Sequence, residues 1–265
     1  MPDVPGRGGQ AHRSDHPPAR PVNPPHTRLW LEQPASLGML RAEEMQRNAH
    51  ARAGRGRRSS RHADPPPVKL GIVSDIHCNL AGLEAALAAM GPVDVLLCLG
   101  DAIDRFRFSN AVIGRLRALG AQLILGNHEE IFLSEAGLPA RARAEVDAQL
   151  VEYLAAQPPR RMLNFDGRKV LMVHSTPWEP RGAYIYPHSP KLARFAEAGA
   201  DFVLYGHTHA PLIRRIGGVL VINPGSAGDG RDTGHGRHLS CAVLDPGTGE
   251  ARLIDYLDPR FPAPP

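Results

Sequence analysis

Cysteine is scarce. Cys78, Cys98 and Cys241 are the three thiols, far apart and with no Cys-x-x-Cys among them. That leaves no disulfide framework to read and fits a reducing compartment. Cys98 and Cys241 fall inside apolar runs and read as core residues; Cys78, beside His77, is expected to point away from it. No apolar run reaches the ~18 residues of a membrane span, so no membrane partner is expected. No apolar segment follows Met1 in the manner of a secretion leader, and the chain is read as cytoplasmic. Internal repeats are also missing, and nothing specifies an oligomeric state.

An excess of charge is missing from most of the chain. The formal net charge is +4, but residues 1–67 hold 11 Lys and Arg against 6 Asp and Glu, and the remainder holds 20 against 21. The basicity therefore belongs to the leading segment, and a nucleic-acid partner is not expected. That segment also holds 11 of the 26 prolines and keeps no helical or strand period. It reads as a disordered basic tail, Arg52 to Arg61 included. Ser36 offers an N-cap for a short helix reaching Ala51. Residues 68–258 form the folded domain, and 259–265 are expected to fray.

The folded part alternates. Val68 to Val73 is a short apolar run after Pro65-Pro66-Pro67 and reads as a buried strand. Asn79 can cap a helix that places Leu80, Leu83, Leu87 and Met90 at helical spacing and stops at Gly91-Pro92. Val93 to Leu99 is a second strand. A helix with Val112, Leu116 and Leu119 on one face ends at Gly120. Ala121 to Leu125 is a third strand. This order implies parallel crossovers, with ligands bound beyond the carboxyl ends of the strands. A helical insert at 139–157 should turn Val146, Leu150, Tyr153 and Leu154 inward. Later strands are expected at Lys169 to Val173, Phe202 to Tyr205 and Val219 to Ile222, with a closing hairpin of Leu239 to Leu244 and Ala251 to Leu257. Ser189-Pro190 opens one more helix, closed by Gly199.

Polar groups sit where these strands end. Asp75-Ile76-His77 follows the first, Gly100-Asp101 the second, and Gly126-Asn127-His128-Glu129 the third. Twenty-six residues separate Asp75 from Asp101 and Asp101 from Asn127, about one strand-helix unit each. His174 ends a later strand, and Gly206-His207-Thr208-His209 ends the next. In extended backbone Asp75 and His77 emerge on one side, as do His207 and His209, while His128 points away from Asn127. Imidazoles, carboxylates and an amide, without a thiolate, suit Mn, Fe, Co, Ni or Zn better than Ca or Mg. Seven such side chains are too many for one ion and suit two. Two dications against the two carboxylates leave about +2, which attracts phosphate and acidifies a bound water. His188, His235 and His238 have no such company and read as surface residues. Glu129 reads as a charge for the start of the next helix rather than as a partner of His128.

These five segments, in this order over Val68 to Leu257, resemble the calcineurin-like metallophosphoesterase superfamily. Asn223-Pro224-Gly225-Ser226 resembles its small bacterial and archaeal phosphodiesterase branch. The resemblance implies a four-layer αββα sandwich, two mixed sheets flanked by helices. It implies that Asp75, His77 and His209 hold one divalent ion, that Asn127, His174 and His207 hold the other, and that Asp101 bridges, with Mn the first choice. It implies hydrolysis of a small phosphodiester, or also a monoester, by in-line attack of a hydroxide held between the ions, with His128 at the phosphate or the leaving oxygen. The substrate stays open among cyclic nucleotides, dinucleotides, glycerophosphodiesters and phosphorylated proteins. The loop from Pro177 to Pro190, with Trp178, Arg181, Tyr184 and Tyr186, either faces a leaving group or packs on itself. Gly100 to Arg105 is also similar to the protein-phosphatase pattern Gly-Asp-x-Val-Asp-Arg-Gly, but Phe106 replaces the last glycine. Protein phosphatase action and a non-catalytic scaffold of the same fold are the alternatives; the filled ligand set favours an enzyme.

The tail holds no candidate ligand and has few apolar residues of its own. A chain beginning near Pro65 is expected to stay folded and to keep its turnover with metal. Precipitation of that chain, or loss of most turnover, measured beside the full chain, would contradict the division.

Overall fold

The computed structural model describes residues 68–261 apart from Asp166, Pro180 and His235. The leading segment, with its expected helix from Ser36 to Ala51, lies outside these residues. In chain order the strands are β1 Leu70–Val73, β2 Val95–Cys98, β3 Gln122–Leu123, β4 Arg160–Phe165, β5 Arg168–Val173 and β6 Phe202–Leu204. Then follow β7 Leu212–Ile216, β8 Val219–Asn223, β9 Arg231–Asp232, β10 Arg237–Leu244 and β11 Ala251–Leu257. The α-helices are α1 Leu80–Met90, α2 Asn110–Ala118, α3 Asn127–Leu133, α4 Leu138–Arg141 and α5 Ala148–Ala155, and a 3-10 helix runs over Pro190–Glu197. Among the described residues no helix is long and apolar enough to cross a membrane.

Two mixed sheets face each other. The first runs β11-β10-β1-β2-β3, with β9 paired to β10; the second runs β4-β5-β6-β8-β7. In the first, β1, β2 and β3 are parallel, with Leu70 opposite Val95 and Leu97 opposite Gln122. In the second, β5, β6 and β8 are parallel, with Val170 opposite Phe202 and Phe202 opposite Leu220. Leu70, Ile72, Leu97 and Leu99 from the first sheet meet Val170, Met172, Phe202 and Ile222 from the second in one buried core. Helices α1 and α2 cover the first sheet through Leu83, Ala86, Val112, Ile113 and Leu116. The 3-10 helix covers the second through Leu192 and Phe195. The result is the expected αββα sandwich. Strands buried on both faces explain why β1, β2, β5, β6 and β8 read as unbroken apolar runs.

Local chemistry sets the ends of the elements. Asn79 caps α1 by accepting from the Gly82 N–H at 2.9 Å. Ser109 caps α2 by accepting from Val112, and Asp147 caps α5 by accepting from Gln149 and Leu150. The Asp147 cap splits the expected 139–157 insert into α4 and α5; Leu154 is fully buried there, while Val146, Leu150 and Tyr153 are half-buried. Ile113 rather than Leu119 completes the buried face of α2; Leu119 lies at the C-cap and is exposed. Strands β4 and β7 were not expected. Both are outer strands with arginines on the open face, so neither carries a continuous apolar run. Cys98 and Cys241 are buried core residues, as expected. Within the stretch expected to fray, Arg260 pairs with Asp258 at 2.7 Å and donates to the Gly228 carbonyl at 2.5 Å.

Phe202 is fully buried between the sheets. Phe202→Ala should cost about 3–5 kcal/mol, the usual range for removing a buried aromatic ring. Urea unfolding of both chains checks this; a loss under about 1 kcal/mol would mean the two sheets do not pack through this residue.

Candidate metal centre

The carboxyl ends of β1, β2, β3, β5 and β6 deliver the polar groups to one rim. The chain leaves β1 in a left-handed turn rather than an extended run. Asp75, His77 and Cys78 have φ of 53°, 47° and 62°, Asp101 has 50°, and His207 and His209 have 67° and 53°. These are all of the non-glycine residues with positive φ among the described residues. Such backbone costs of order 1–3 kcal/mol per residue and persists where surrounding bonds impose it. Those bonds are present. His77 N–H donates to the Asp101 carbonyl and Cys78 N–H to the Ala102 carbonyl, both at 3.0 Å. Asp75 and His77 therefore meet as expected, but through a turn and not through strand alternation.

Three groups of possible ligands result. Asp75, His77 and His209 form one and Asp101, His174 and His207 another, and these two clusters hold the expected ligands; His77, Asp104 and His128 form the third, which shares His77 with the first. In the first, His77 Nε2 lies 3.1 Å from His209 Nε2, and His209 Nε2 lies 3.3 Å from Asp75 Oδ1. In the second, His174 Nε2 lies 3.2 Å from Asp101 Oδ2, 3.2 Å from His207 Nδ1 and 3.0 Å from Asn127 Oδ1. All seven expected side chains are thus present in or beside the two clusters. Cys78 turns its thiol to the Arg107 carbonyl, away from both.

The outward nitrogens fix the tautomers. His174 Nδ1 faces the Leu99 carbonyl at 2.8 Å, and His207 Nε2 faces the Gly182 carbonyl at 3.2 Å. His77 Nδ1 faces Asp104 Oδ1 at 3.2 Å, and His209 Nδ1 faces Asp229 Oδ2 at 3.5 Å. Carbonyls and carboxylates only accept, so the outward nitrogens of His77, His174 and His207 carry the proton, and Asp229 favours the same form of His209 from further off. In the neutral rings the four inward nitrogens then present lone pairs to each other. Asp75 Oδ1 is buried among them with no hydrogen bond from the described residues. Converging lone pairs and an orphaned carboxylate oxygen fit a cation, and outer acceptors behind ligating histidines are the usual arrangement of a metal site.

Protons replace that missing charge where no ion is bound. Burial works against the His174 cation, but the Asp101 charge and contact outweigh it and push its pKa up to about 10. Asp101, against its own burial, is held down at about 2 by His174 and His128. Asp75 is also lowered despite burial, through His209 and the charge of His174. His207 is lowered by burial and by the nearby His174 charge.

The surrounding chain is cut to this arrangement. A Cβ on Gly126 would stand 2.2 Å from Asp101 Oδ1, and one on Gly206 would stand 2.7 Å from Asp75 Oδ2. Both glycines are needed for close approach rather than for an unusual φ. Asn223 Nδ2 donates to the Gly206 carbonyl at 2.9 Å, and Ser226 Oγ donates to the Asp75 carbonyl at 2.7 Å. The Asn223-Pro224-Gly225-Ser226 stretch therefore ties the β1 and β6 turns together.

Asp104 and Asp229 were not singled out in the sequence as supports of the site, and Glu129 was read only in part. Asp104 stands between His77, His128 and Arg107, with Oδ2 2.6 Å from the Arg107 guanidinium. Its spacing of three from Asp101 was the available sign. Asp229 backs His209 from a stretch with no strand pattern. Glu129 does begin a helix, where its carboxylate accepts from the Gly126 N–H at 2.8 Å, but it also accepts from Asp101 N–H at 2.8 Å and Ile103 N–H at 3.0 Å. Burial, and then the Asp101 charge, push its pKa up to about 7. Asn127 and His128 are the first residues of α3, so their side chains diverge by helical and not by extended geometry. The His128 N–H donates to Asp101 Oδ1 at 2.9 Å. A cavity of about 360 Å³ opens on this rim, lined by His77, Asp101, His128, His209, Arg107 and Arg260 among others.

Fold and site together define a candidate metal centre at one rim of a two-sheet sandwich. The model of the calcineurin-like phosphoesterase superfamily domain matches residues 68–249, and the chain belongs to that superfamily. A metallophosphoesterase from Sphaerobacter thermophilus is similar in structure, with a TM-score of 0.55 and 27% identity over 72% of this chain and 87% of that one. A Pyrococcus horikoshii protein shares the fold, with a TM-score of 0.59 and 20% identity over 72% and 88% of the two chains. A protein of Methanocaldococcus jannaschii is 24% identical over 192 residues, 62% of this chain and 77% of its own length. The expected small bacterial and archaeal branch is where these likenesses fall.

Glu129→Gln keeps the size but sets an NH₂ against backbone N–H groups. It should cost about 1–3 kcal/mol, the penalty for leaving a buried donor unpaired. Urea unfolding of metal-free protein measures it; an unchanged midpoint would show that Glu129 does not hold the Asp101 turn.

Proposed function

We propose that the chain hydrolyses small phosphodiesters with two divalent transition-metal ions, Mn foremost, in the cytoplasm. The observation that carries this reading is the inward set of four imidazole nitrogens in two pairs, 3.1 Å and 3.2 Å apart. Asp75, His77 and His209 would hold one ion, and Asn127, His174 and His207 the other, with Asp101 between them. Bound dications polarise phosphoryl oxygens and lower the pKa of water, the chemistry phosphoester hydrolysis requires.

The other residues serve the substrate. His128 lines the cavity, and its Nε2 lies 4.0 Å from Asp101 Oδ2. Its buried Nδ1 has no hydrogen bond from the described residues. No hydrogen bond to the protein commits the ring to a purely structural role, which suits a part at the substrate. Burial, with the His77 charge, lowers its pKa, although Asp101 opposes this; a phosphate anion in the cavity raises it again by charge attraction. Asp104 orients His77 from one side and faces His128 Nδ1 at 3.8 Å from the other. Arg107 and Arg260 line the cavity, each paired with an aspartate, Asp104 and Asp258, and add positive charge that favours phosphate there.

Hydrolysis of bis(p-nitrophenyl) phosphate is expected, to be lost with chelator and restored by Mn. Active protein without bound transition metal would refute the reading. Asp101→Asn should lose at least one ion and nearly all turnover. His128→Ala should keep both ions and slow by about 10²–10⁴-fold, the usual worth of general acid help. The loss should be smaller for a nitrophenolate leaving group than for an alkoxide, which needs the proton. Metal content and rates on both substrate types decide; equal slowing, or a lost ion, would remove His128 from the role of acid.

A further inference from the structure

The segment from Ala183 to His188 follows Gly182, the residue whose carbonyl holds His207. Its backbone is pinned from several sides. Gly182 N–H donates to Ser175 Oγ at 2.7 Å, the Tyr205 hydroxyl donates to the Ile185 carbonyl at 2.9 Å, and Arg214 Nη1 donates to the Pro187 carbonyl at 2.8 Å. Ile185 is buried, packed in the outer core with Leu192, Phe195 and Tyr205. The alternate residues face the other way. Tyr184 is 57% exposed and Tyr186 40% exposed. Ile185 is buried between them, so Tyr184 and Tyr186 point to the opposite side, and a turn at Pro187-His188 follows.

What it presents is a row of near-parallel rings. The Tyr184 ring stacks on His207, with centroids 4.0 Å apart and planes 27° apart. Tyr186 follows at 6.2 Å and 15°, and His188 at 5.9 Å from Tyr186 and 7°. The row thus starts on a candidate ligand ring and runs outward on a fixed backbone. The outer core of this sheet is filled by Leu192, Phe195 and Tyr205, so Tyr184 and Tyr186 pack only along the row and stay exposed. Exposed aromatic faces beside a phosphate-binding centre are the means by which proteins hold bases through stacking.

We propose that Tyr184 and Tyr186 form a stacking platform for a nucleobase, so that the phosphodiesters taken by this centre are nucleotidyl esters. The inference rests on the hydrolase reading above. The rings select a planar heteroaromatic group over glycerol or a peptide side chain, because they offer flat π faces and not a closed apolar pocket. The row starts on His207, a residue of the second candidate cluster.

The test is calorimetric titration of the Mn-loaded full chain with AMP and with ribose 5-phosphate. These probes share the phosphate and differ by the base. AMP should bind roughly tenfold tighter or more, the worth of one stacked base. Tyr184→Phe should keep the preference. Tyr184→Leu, which still covers His207 with apolar atoms, should bring the ratio close to one at unchanged metal content. Tyr186→Ala does not touch His207 and should also reduce the ratio; it decides the matter if the leucine variant loses metal. Equal affinities in the unaltered chain, or a preference that survives both substitutions, overturns the platform. The same preparation is assayed on bis(p-nitrophenyl) phosphate. Hydrolysis without base preference overturns this inference alone. Base preference without hydrolysis upholds the platform and overturns the hydrolase reading, and the absence of both overturns the two together.

Discussion

Lone pairs that face each other repel, and this chain aims four of them inward at close range. The proton positions of His77, His174 and His207 are set from behind by acceptors that cannot be reversed, and Asp229 favours the same form of His209 from further off. Asp75 adds a buried oxygen with no hydrogen bond from the described residues, 3.3 Å from His209 Nε2. Positive charge has to enter this space. The buried Asp101 carboxylate draws such charge to it: it pushes His174 up to about 10 and is itself held near 2. The left-handed turns at Asp75, Asp101, His207 and His209 are the backbone cost of the same convergence.

The sandwich exists in a form that can meet this cost. Parallel strands in each sheet end on one rim, and the buried layer of Leu70, Ile72, Leu97, Met172, Phe202 and Ile222 fixes one sheet against the other. The turns beyond the strands are then bound to each other rather than left as loops. Glu129 ties α3 to the Asp101 turn, and Asn223 and Ser226 tie the His207 turn to the Asp75 turn. The glycines at 126 and 206 let carboxylates pass where a methyl group would stand.

Much of this was legible because each candidate ligand stands directly after an apolar run. Asp75, Asp101, Asn127, His174 and His207 mark the ends of β1, β2, the third strand region, β5 and β6 without any alignment. The reasons were less legible than the positions. Asp75 and His77 come together through positive φ, which strand alternation does not contain. Asn127 and His128 begin a helix, although Gly126 before them reads equally as a loop. Strands β4 and β7 stayed hidden because half of each faces outward and carries arginine. Asp104, Asp229 and the extra bonds of Glu129 act from behind the ligands. Their partners are 27, 20 and 28 residues away or join different turns, so only the fold brings them into reach.

The account stands on a charge requirement at two adjoining clusters, and the ions themselves are the direct readout. Anomalous diffraction from crystals of the Mn-loaded chain locates each ion without reference to activity. The account predicts two peaks, one among Asp75, His77 and His209 and one among Asn127, His174 and His207, with Asp101 touching both. A single peak, or two peaks at other side chains, would contradict it.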